Sequence, residues 1–340
     1  MGTPTTTLDG VAGRPYGAGR GRVVVGVDAS DGARAALVWA LAEAAHRGVP
    51  LDVVTAYPVD FYWTDAYLAD RHRLDAVRDL ATTQARALVD EVRGDPALAG
   101  VPGVPVVPVD VVVVGGAPAD HLVAAAGPDD VLVVGSRGRG AVRGAVLGSV
   151  SLRCVMHSRG RVVVVHPDRA VLPGGRRAVV IGFDGSAAAR SALLAAVDEA
   201  TLLGTDLRVV VVLEPAEHWT DLGTATAEST ARVRDVALRQ AREAAAEVLG
   251  ERLLGEGGET GPRVDFTAVE GRPAAVLVDE AADAALLVVG NRGHGTLPGL
   301  LLGSVALLCV VHAPCPVMVL HSSADRGVPA ERAGSAAARA

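Results

Sequence analysis

The 340-residue chain carries the same pattern twice. Gly135-Ser136-Arg137-Gly138, nine further residues and Gly148-Ser149 return 155 positions later as Gly290-Asn291-Arg292-Gly293, nine residues and Gly303-Ser304. Each copy follows a short apolar run, Val131-Leu132-Val133-Val134 and Leu286-Leu287-Val288-Val289. A glycine turn at the carboxyl end of a buried strand, leading to a helix start, is where an α/β protein can hold phosphate. A lone Gly-x-x-Gly is weak. The full spacing, after a strand and before a helix and found twice, points to two copies of one nucleotide-binding domain.

The duplication extends beyond the glycines. Arg22-Val23-Val24-Val25-Gly26-Val27-Asp28-Ala29-Ser30 matches Ala178-Val179-Val180-Ile181-Gly182-Phe183-Asp184-Gly185-Ser186, and Gly116-Ala117-Pro118-Ala119 matches Gly271-Arg272-Pro273-Ala274. The offset stays at 155 or 156, so this is one tandem duplication and not a solenoid. Within each half, strand and helix signals alternate. Strands are expected near 22–27, 51–57, 105–113, 130–134 and 161–165, then near 178–183, 207–213, 263–269, 285–289 and 316–320. Helices are expected over Ala33–Arg47, Asp65–Arg93, Ala119–Ala126 and Ser149–His157, then Ala187–Leu203, Ala225–Leu249, Ala274–Ala282 and Ser304–His312. Continuous valine runs fit parallel strands buried on both faces, and the alternation forces right-handed crossovers. The expected fold class is α/β: two tandem doubly wound domains, each a five-stranded parallel sheet with helices on both faces. Domain 1 is expected at 21–168 and domain 2 at 178–322, with a linker at 169–177 between them. Residues 1–20 and 323–340 read as a disordered leader and tail.

Composition removes several function classes. A net charge of −7 argues against general nucleic-acid binding, which wants a basic face. No run approaches the roughly 18 apolar residues that span a bilayer, and the leader lacks an apolar signal core. A cytoplasmic protein without membrane contact is the expectation. The three cysteines, Cys154, Cys309 and Cys315, read as small buried residues in a reducing compartment, and no cluster suggests a metal site. The chain has no lysine, which excludes a Walker P-loop and Schiff-base chemistry. Any bound phosphate must rest on backbone N–H groups, hydroxyls and arginines.

The candidate site residues each have a plain alternative. Asp28 and Asp184 end the first strand of each half; they either cap the following helix or face the crevice as acceptors for a base, a ribose or metal-bound water. Ser30 and Ser186 read chiefly as helix caps. Gly135, Gly138, Gly290 and Gly293 let the backbone turn over the sheet edge and bare its amides, while Gly148-Ser149 and Gly303-Ser304 open helices whose N–H groups favour an anion. Arg137, Arg139, Arg143 and Arg292 either help neutralise a triphosphate or are solvated; His294 stands where the first half has Arg139, and Asn291 where it has Ser136. Tyr57, Phe61, Tyr62, Trp63 and Tyr67, with Trp219 near the matching place, form either a flap over a base or a packing loop. His157 and His312 read as structural or interface residues.

These motifs resemble the universal stress protein family in its tandem form, over roughly residues 20–168 and 177–322. The carrying residues are Gly26, Asp28 and Ser30, their second copy Gly182, Asp184 and Ser186, and the G-x2-G-x9-G-[ST] signature of the ATP-binding branch. The resemblance implies strand order 3-2-1-4-5 in each half. It implies adenine near Asp28 or Asp184 and around Ala56 and Val212, with phosphates on the glycine loop and on Gly148-Ser149 or Gly303-Ser304. One ATP per half, carried with Mg²⁺, is the expectation. The family usually precedes its last strand with Cys-Pro-Val. The second half keeps Cys315-Pro316-Val317, but the first has Gly160-Arg161-Val162, which leaves the pairing edge open. The two halves are expected to pack as a pseudo-twofold pair and the chains to pair again as a homodimer.

Three functions compete: an ATP-binding regulatory protein of the stress response, a slow ATPase or other ATP-consuming enzyme, and a dimeric scaffold independent of nucleotide. The first strand lacks the Ser-Gly-Gly-x-Asp-Ser of ATP pyrophosphatases, no His-x-Gly-His of adenylyltransferases is present, and no second substrate site is visible either. The intact glycines argue against the scaffold.

Overall fold

The computed structural model describes residues 21–57, 71–138, 147–167, 177–214, 227–250, 261–294 and 300–321. The expected leader and tail, nearly all of the linker, Arg139, Arg143, Phe61, Tyr62, Trp63, Tyr67 and Trp219 lie outside them. The first half runs β1 (Val23–Val27), α1 (Asp31–Arg47), β2 (Leu51–Tyr57), α2 (Arg71–Arg93), β3 (Val109–Gly115), α3 (Pro118–Ala125), β4 (Val131–Gly135), α4 (Ser149–His157) and β5 (Arg161–Val165). The second repeats it: β6 (Val179–Gly182), α5 (Ala187–Leu203), β7 (Leu207–Leu213), α6 (Ala227–Leu249), β8 (Val264–Glu270), α7 (Pro273–Glu280), β9 (Leu286–Gly290), α8 (Ser304–His312) and β10 (Val317–Leu320).

Local chemistry sets the boundaries. The Ser30 side chain accepts from the Ala33 amide and starts α1, and Gly48 ends it at φ 63°. Ser186 and Gly204 do the same for α5. Both are standard start and stop devices. The expected start of β3 at residue 105 is wrong: Val104–Val106 forms a 3-10 turn, and the strand begins only at Val109. Pro105 and Pro108 lack the N–H a ladder needs.

The strand order is β3-β2-β1-β4-β5-β10-β9-β6-β7-β8. Each half therefore has order 3-2-1-4-5 with parallel pairing throughout. The two five-stranded sheets do not stay separate. β5 and β10 pair antiparallel, with Val317 opposite Val164 and Leu320 opposite Arg161, and make one ten-stranded sheet. This settles the pairing edge, and it covers both apolar last strands.

Alternation along the strands feeds two continuous cores. Val23 and Val25, with Ile181 and Val288, pack beneath α1, α2, α5 and α6. Val24 and Leu132, with Val180 and Leu287, pack beneath α3, α4, α7 and α8. Each core crosses from one half to the other without a break. Cys154, Cys309 and Cys315 are buried free thiols in the second core, and burial pushes each up to about 12. That fits small apolar packing and removes them from redox chemistry.

The departure at the family's Cys-Pro-Val has a structural consequence. Gly160 lies so close to the chain before β4 that a Cβ would come 2.5 Å from the Gly127 carbonyl oxygen. Arg161, standing where the second half has Pro316, reaches across to Asp198 at 2.9 Å and Glu199 at 3.4 Å on α5. Among the described residues no helix is long and apolar enough to cross a membrane.

Candidate functional site

In each half the carboxyl ends of the strands open into a crevice between two loops. One follows the first strand and carries Asp28 or Asp184; the other is the glycine loop after β4 or β9. The Asp28 carboxylate turns back on its own loop, with Oδ1 accepting from the Ser30 amide at 3.1 Å and from the Ser30 hydroxyl at 2.5 Å. Asp184 Oδ1 accepts from the Ser186 amide at 3.0 Å, and Oδ2 accepts from the His294 amide at 3.3 Å. Each aspartate thus organises the turn into the helix while still lining the crevice. The caps themselves are Ser30 and Ser186, as expected.

The glycines of the glycine loop serve close approach and not left-handed backbone. None of Gly135, Gly138, Gly290 and Gly293 has a positive φ. Their need is close approach. A Cβ on Gly135 would stand 2.5 Å from the Gly32 carbonyl, and one on Gly290 would stand 2.8 Å from the Ala188 Cβ. On Gly138 or Gly293 it would come 2.5 Å from Oδ2 of Asp28 or Asp184. The loop therefore packs onto the start of α1 or α5 and onto the aspartate. Left-handed backbone occurs instead in the other loop, at Ala29 (φ 58°) and Gly185 (φ 80°).

Each glycine loop is tied to the last strand and to the next helix. Ser136 N donates to Val165 O and Asn291 N to Leu320 O, both at 2.7 Å. Gly148 N returns to Ser136 O at 2.9 Å, and Gly303 N returns to Asn291 O at 2.7 Å. Helices α4 and α8 begin without any side-chain cap, so their first amides face the crevice unsatisfied by a cap. Ser149 and Ser304 stand exposed at those starts.

The first crevice is a cavity of about 490 Å³. It is lined by Gly26, Asp28, Ala56, Gly135, Arg137, Gly138, Gly148 and Ser149. The second, of about 590 Å³, is lined by Gly182, Asp184, Val212, Gly290, Asn291, Arg292, Gly293, His294, Gly303 and Ser304. Ser136 does not line the first cavity; it is 2 % exposed and its hydroxyl has no partner among the described residues. Asn291 is equally buried but does reach its cavity, where Nδ2 donates to Leu301 O at 3.4 Å. The His294 ring lies over the aspartate loop, with Nε2 3.0 Å from Asp184 O.

Sequence reasoning missed the apolar wall. Pro118 and Leu122 of α3 with Leu147 close the first cavity, and Pro273 and Leu277 of α7 with Leu300 close the second. Glu214 adds a carboxylate to the second. The repeated Gly-x-Pro turn was the available signal, because it starts both helices. Tyr57 lines a side cavity of about 170 Å³ beside Asp28, together with Leu80 and Gln84 of α2. His157 and His312 are exposed on α4 and α8, away from either cavity. No group of three or more His, Cys, Asp or Glu among the described residues is arranged to hold a metal ion.

The model of the universal stress protein family matches the chain twice, at residues 19–166 and 175–321. A universal stress protein of Mycobacterium tuberculosis is 32% identical over 308 residues, covering 88% of this chain and 97% of the relative. One from Mycolicibacterium smegmatis is 31% identical over 316 residues, covering 88% and 96%. Among solved structures, a universal stress protein from Archaeoglobus fulgidus overlays with TM-score 0.58 at 21% identity, covering 88% of this chain and 98% of that one.

Proposed function

The chain belongs to the universal stress protein family, and from that premise we propose that each half binds one adenine nucleotide, as an intracellular regulator of the stress response. The observation that carries this reading is the paired cavity. Two matching crevices of about 490 and 590 Å³ lie at the strand ends, each with a close-packed glycine loop, an uncapped helix start and an apolar wall. Both volumes fall in the range of about 300–1,000 Å³ usual for small-molecule sites.

The parts divide by chemistry. The apolar wall, with Leu122 and Pro118 or Leu277 and Pro273, suits the flat face of a base. Ala56 and Val212 leave room beside it at the second strand's end. The amides after Gly148 and Gly303 and the hydroxyls of Ser149 and Ser304 suit phosphate oxygens, helped by the positive end of a helix dipole. Arg137 and Arg292 border the same space and supply the positive charge that lysine gives elsewhere. With no metal cage among the described residues, Mg²⁺ would come bound to the phosphates, Asp28 or Asp184 being the nearby carboxylate. Binding and orientation are what these residues offer, so occupancy and not turnover is the proposed signal.

Isothermal titration with MgATP should approach two sites per chain, and mass spectrometry should find adenine nucleotide retained on purification. No heat of binding at millimolar MgATP would end the proposal. Pairing of two chains is a further part of this reading, and light scattering that finds only a compact monomer would remove that part alone.

A further inference from the structure

The seam between the halves contains a buried charge cluster. Glu43 on α1 and Glu199 on α5 occupy the same place in their respective halves, 156 residues apart, the spacing of the caps Ser30 and Ser186. Both are 0% exposed. They meet at the pseudo-twofold junction, where both carboxyls reach the same arginine. One guanidinium, Arg47, serves both: Nε lies 2.5 Å from Glu43 Oε1, and a second nitrogen donates to Glu199 Oε1. Its counterpart in α5 is Leu203, so the second cation comes instead from Arg161 on β5. Oε2 of each glutamate has no hydrogen-bond partner among the described residues.

Two buried acceptors on one guanidinium, each left without a donor, are a costly arrangement. One proton between them removes the conflict. It supplies the missing donor, and it makes the cluster neutral: Arg47 and Arg161 against Asp198 and one net carboxylate. We propose that Glu43 and Glu199 share a single proton at the seam, and that its loss at alkaline pH puts two like charges there and loosens the contact between the two halves.

The surroundings support that assignment. Burial, and then the Glu43 carboxyl, push Glu199 up to about 8, against the pull of Arg47 and Arg161. Strands β6, β9 and β10 beneath α5 carry no ionisable side chain. Arg208 of β7 is turned to Glu280 and Asp283, and α6 meets α5 through Glu247 on Arg190. The facing charges are therefore Glu43 and Arg47 of α1, with His46 next in sequence, Arg161 of β5 and Asp198 of α5 itself, and the wall of an adjoining cleft adds His321 after β10, Arg159, Asp129 and Arg22. The cleft, of about 1,020 Å³, reaches Arg47, Arg161 and Asp198, which gives water and protons a way in.

The sign follows from linkage. The closed seam holds a proton that an open one releases, so closure is favoured at low pH and weakens as pH rises toward about 8. With one proton linked, the opening constant should rise about tenfold per pH unit over that approach and level off beyond it.

Infrared titration of the whole chain reads the proton directly. A protonated-carboxyl stretch should be present at neutral pH and vanish as pH passes about 8. It should be missing from Glu199→Gln. It should also be missing from Glu43→Gln, because Glu199 left with two arginines ionises. Hydrogen exchange of the β5 and β10 amides, corrected for intrinsic pH dependence, should lose protection with rising pH in the native chain and stay flat in either variant. The native chain alone suffices if a variant fails to fold. No such band in the native protein would overturn the proposal. So would a band that survives in both variants, or equal pH dependence of seam protection in all three proteins.

Discussion

Ala29 is a non-glycine residue in left-handed backbone, while the matching position of the second half is Gly185. The strain of an L side chain there is of order 1 kcal/mol, partly offset because glycine gains more freedom on unfolding. Ala29→Gly should therefore raise stability by about 0.5 kcal/mol, read as a higher urea midpoint with an unchanged slope. Gly185→Ala should move the midpoint the other way. The three cysteines give a second test at this scale. With thiols raised to about 12 and fully covered, none should react with a thiol reagent in the native protein at neutral pH, and all three should react in denaturant. Fast labelling of the folded chain would contradict that burial. Residue types also show where sequence stops being informative. Serine caps and glycine stops announce themselves, so α1 and α5 end where Gly48 and Gly204 put them. A glutamate in a helix reads as a solvated face, so nothing in the string marks Glu43 and Glu199 as buried. Their environment is created by the partner half, which no local pattern describes.

At the scale of elements, the candidate site is a strand end, a loop and a helix start held in register. The valine runs and the glycine spacing made the strands and the phosphate-side loop legible. Helices α3 and α7 were legible as helices but not as the apolar wall, since they reach the crevice only by the handedness of their crossovers. The helix starts offer the sharpest test. A Cβ on Gly148 would meet nothing closer than 3.4 Å, the Ser136 carbonyl oxygen, so a side chain there can extend into the cavity without displacing the core. A carboxylate at that point would occupy the phosphate side and oppose it electrostatically. Gly148→Glu should halve the number of MgATP sites per chain, Gly303→Glu should halve it likewise, and the double variant should bind none. Circular dichroism of all three should match the parent. A folded double variant that still binds two nucleotides would show that phosphates do not lie at these helix starts.

For the whole molecule, the decisive contact is the antiparallel pairing of β5 with β10, which turns two domains into one sheet with two cores running through both halves. An apolar strand announces that it is covered and does not say by what, so this pairing was legible only as an edge in need of a partner. The covering strand is the chain's own, and Arg161 fastens it by bridging to Asp198 and Glu199. Shared cores and a shared ladder predict that the two halves unfold as one cooperative unit. Removing Arg161 should therefore be felt everywhere. Arg161→Ala takes one of two cations from a buried carboxylate; losing a fully buried partner costs about 3–5 kcal/mol. The guanidinium retains 22% exposure and Arg47 remains in place, so about 2 kcal/mol is the expected loss. If the halves unfold together, protection of core amides should drop by the same factor in β1 and β2 as in β6 and β7, and the calorimetric and van't Hoff enthalpies should agree. Protection lost in one half alone would mean that the seam joins two independent folding units.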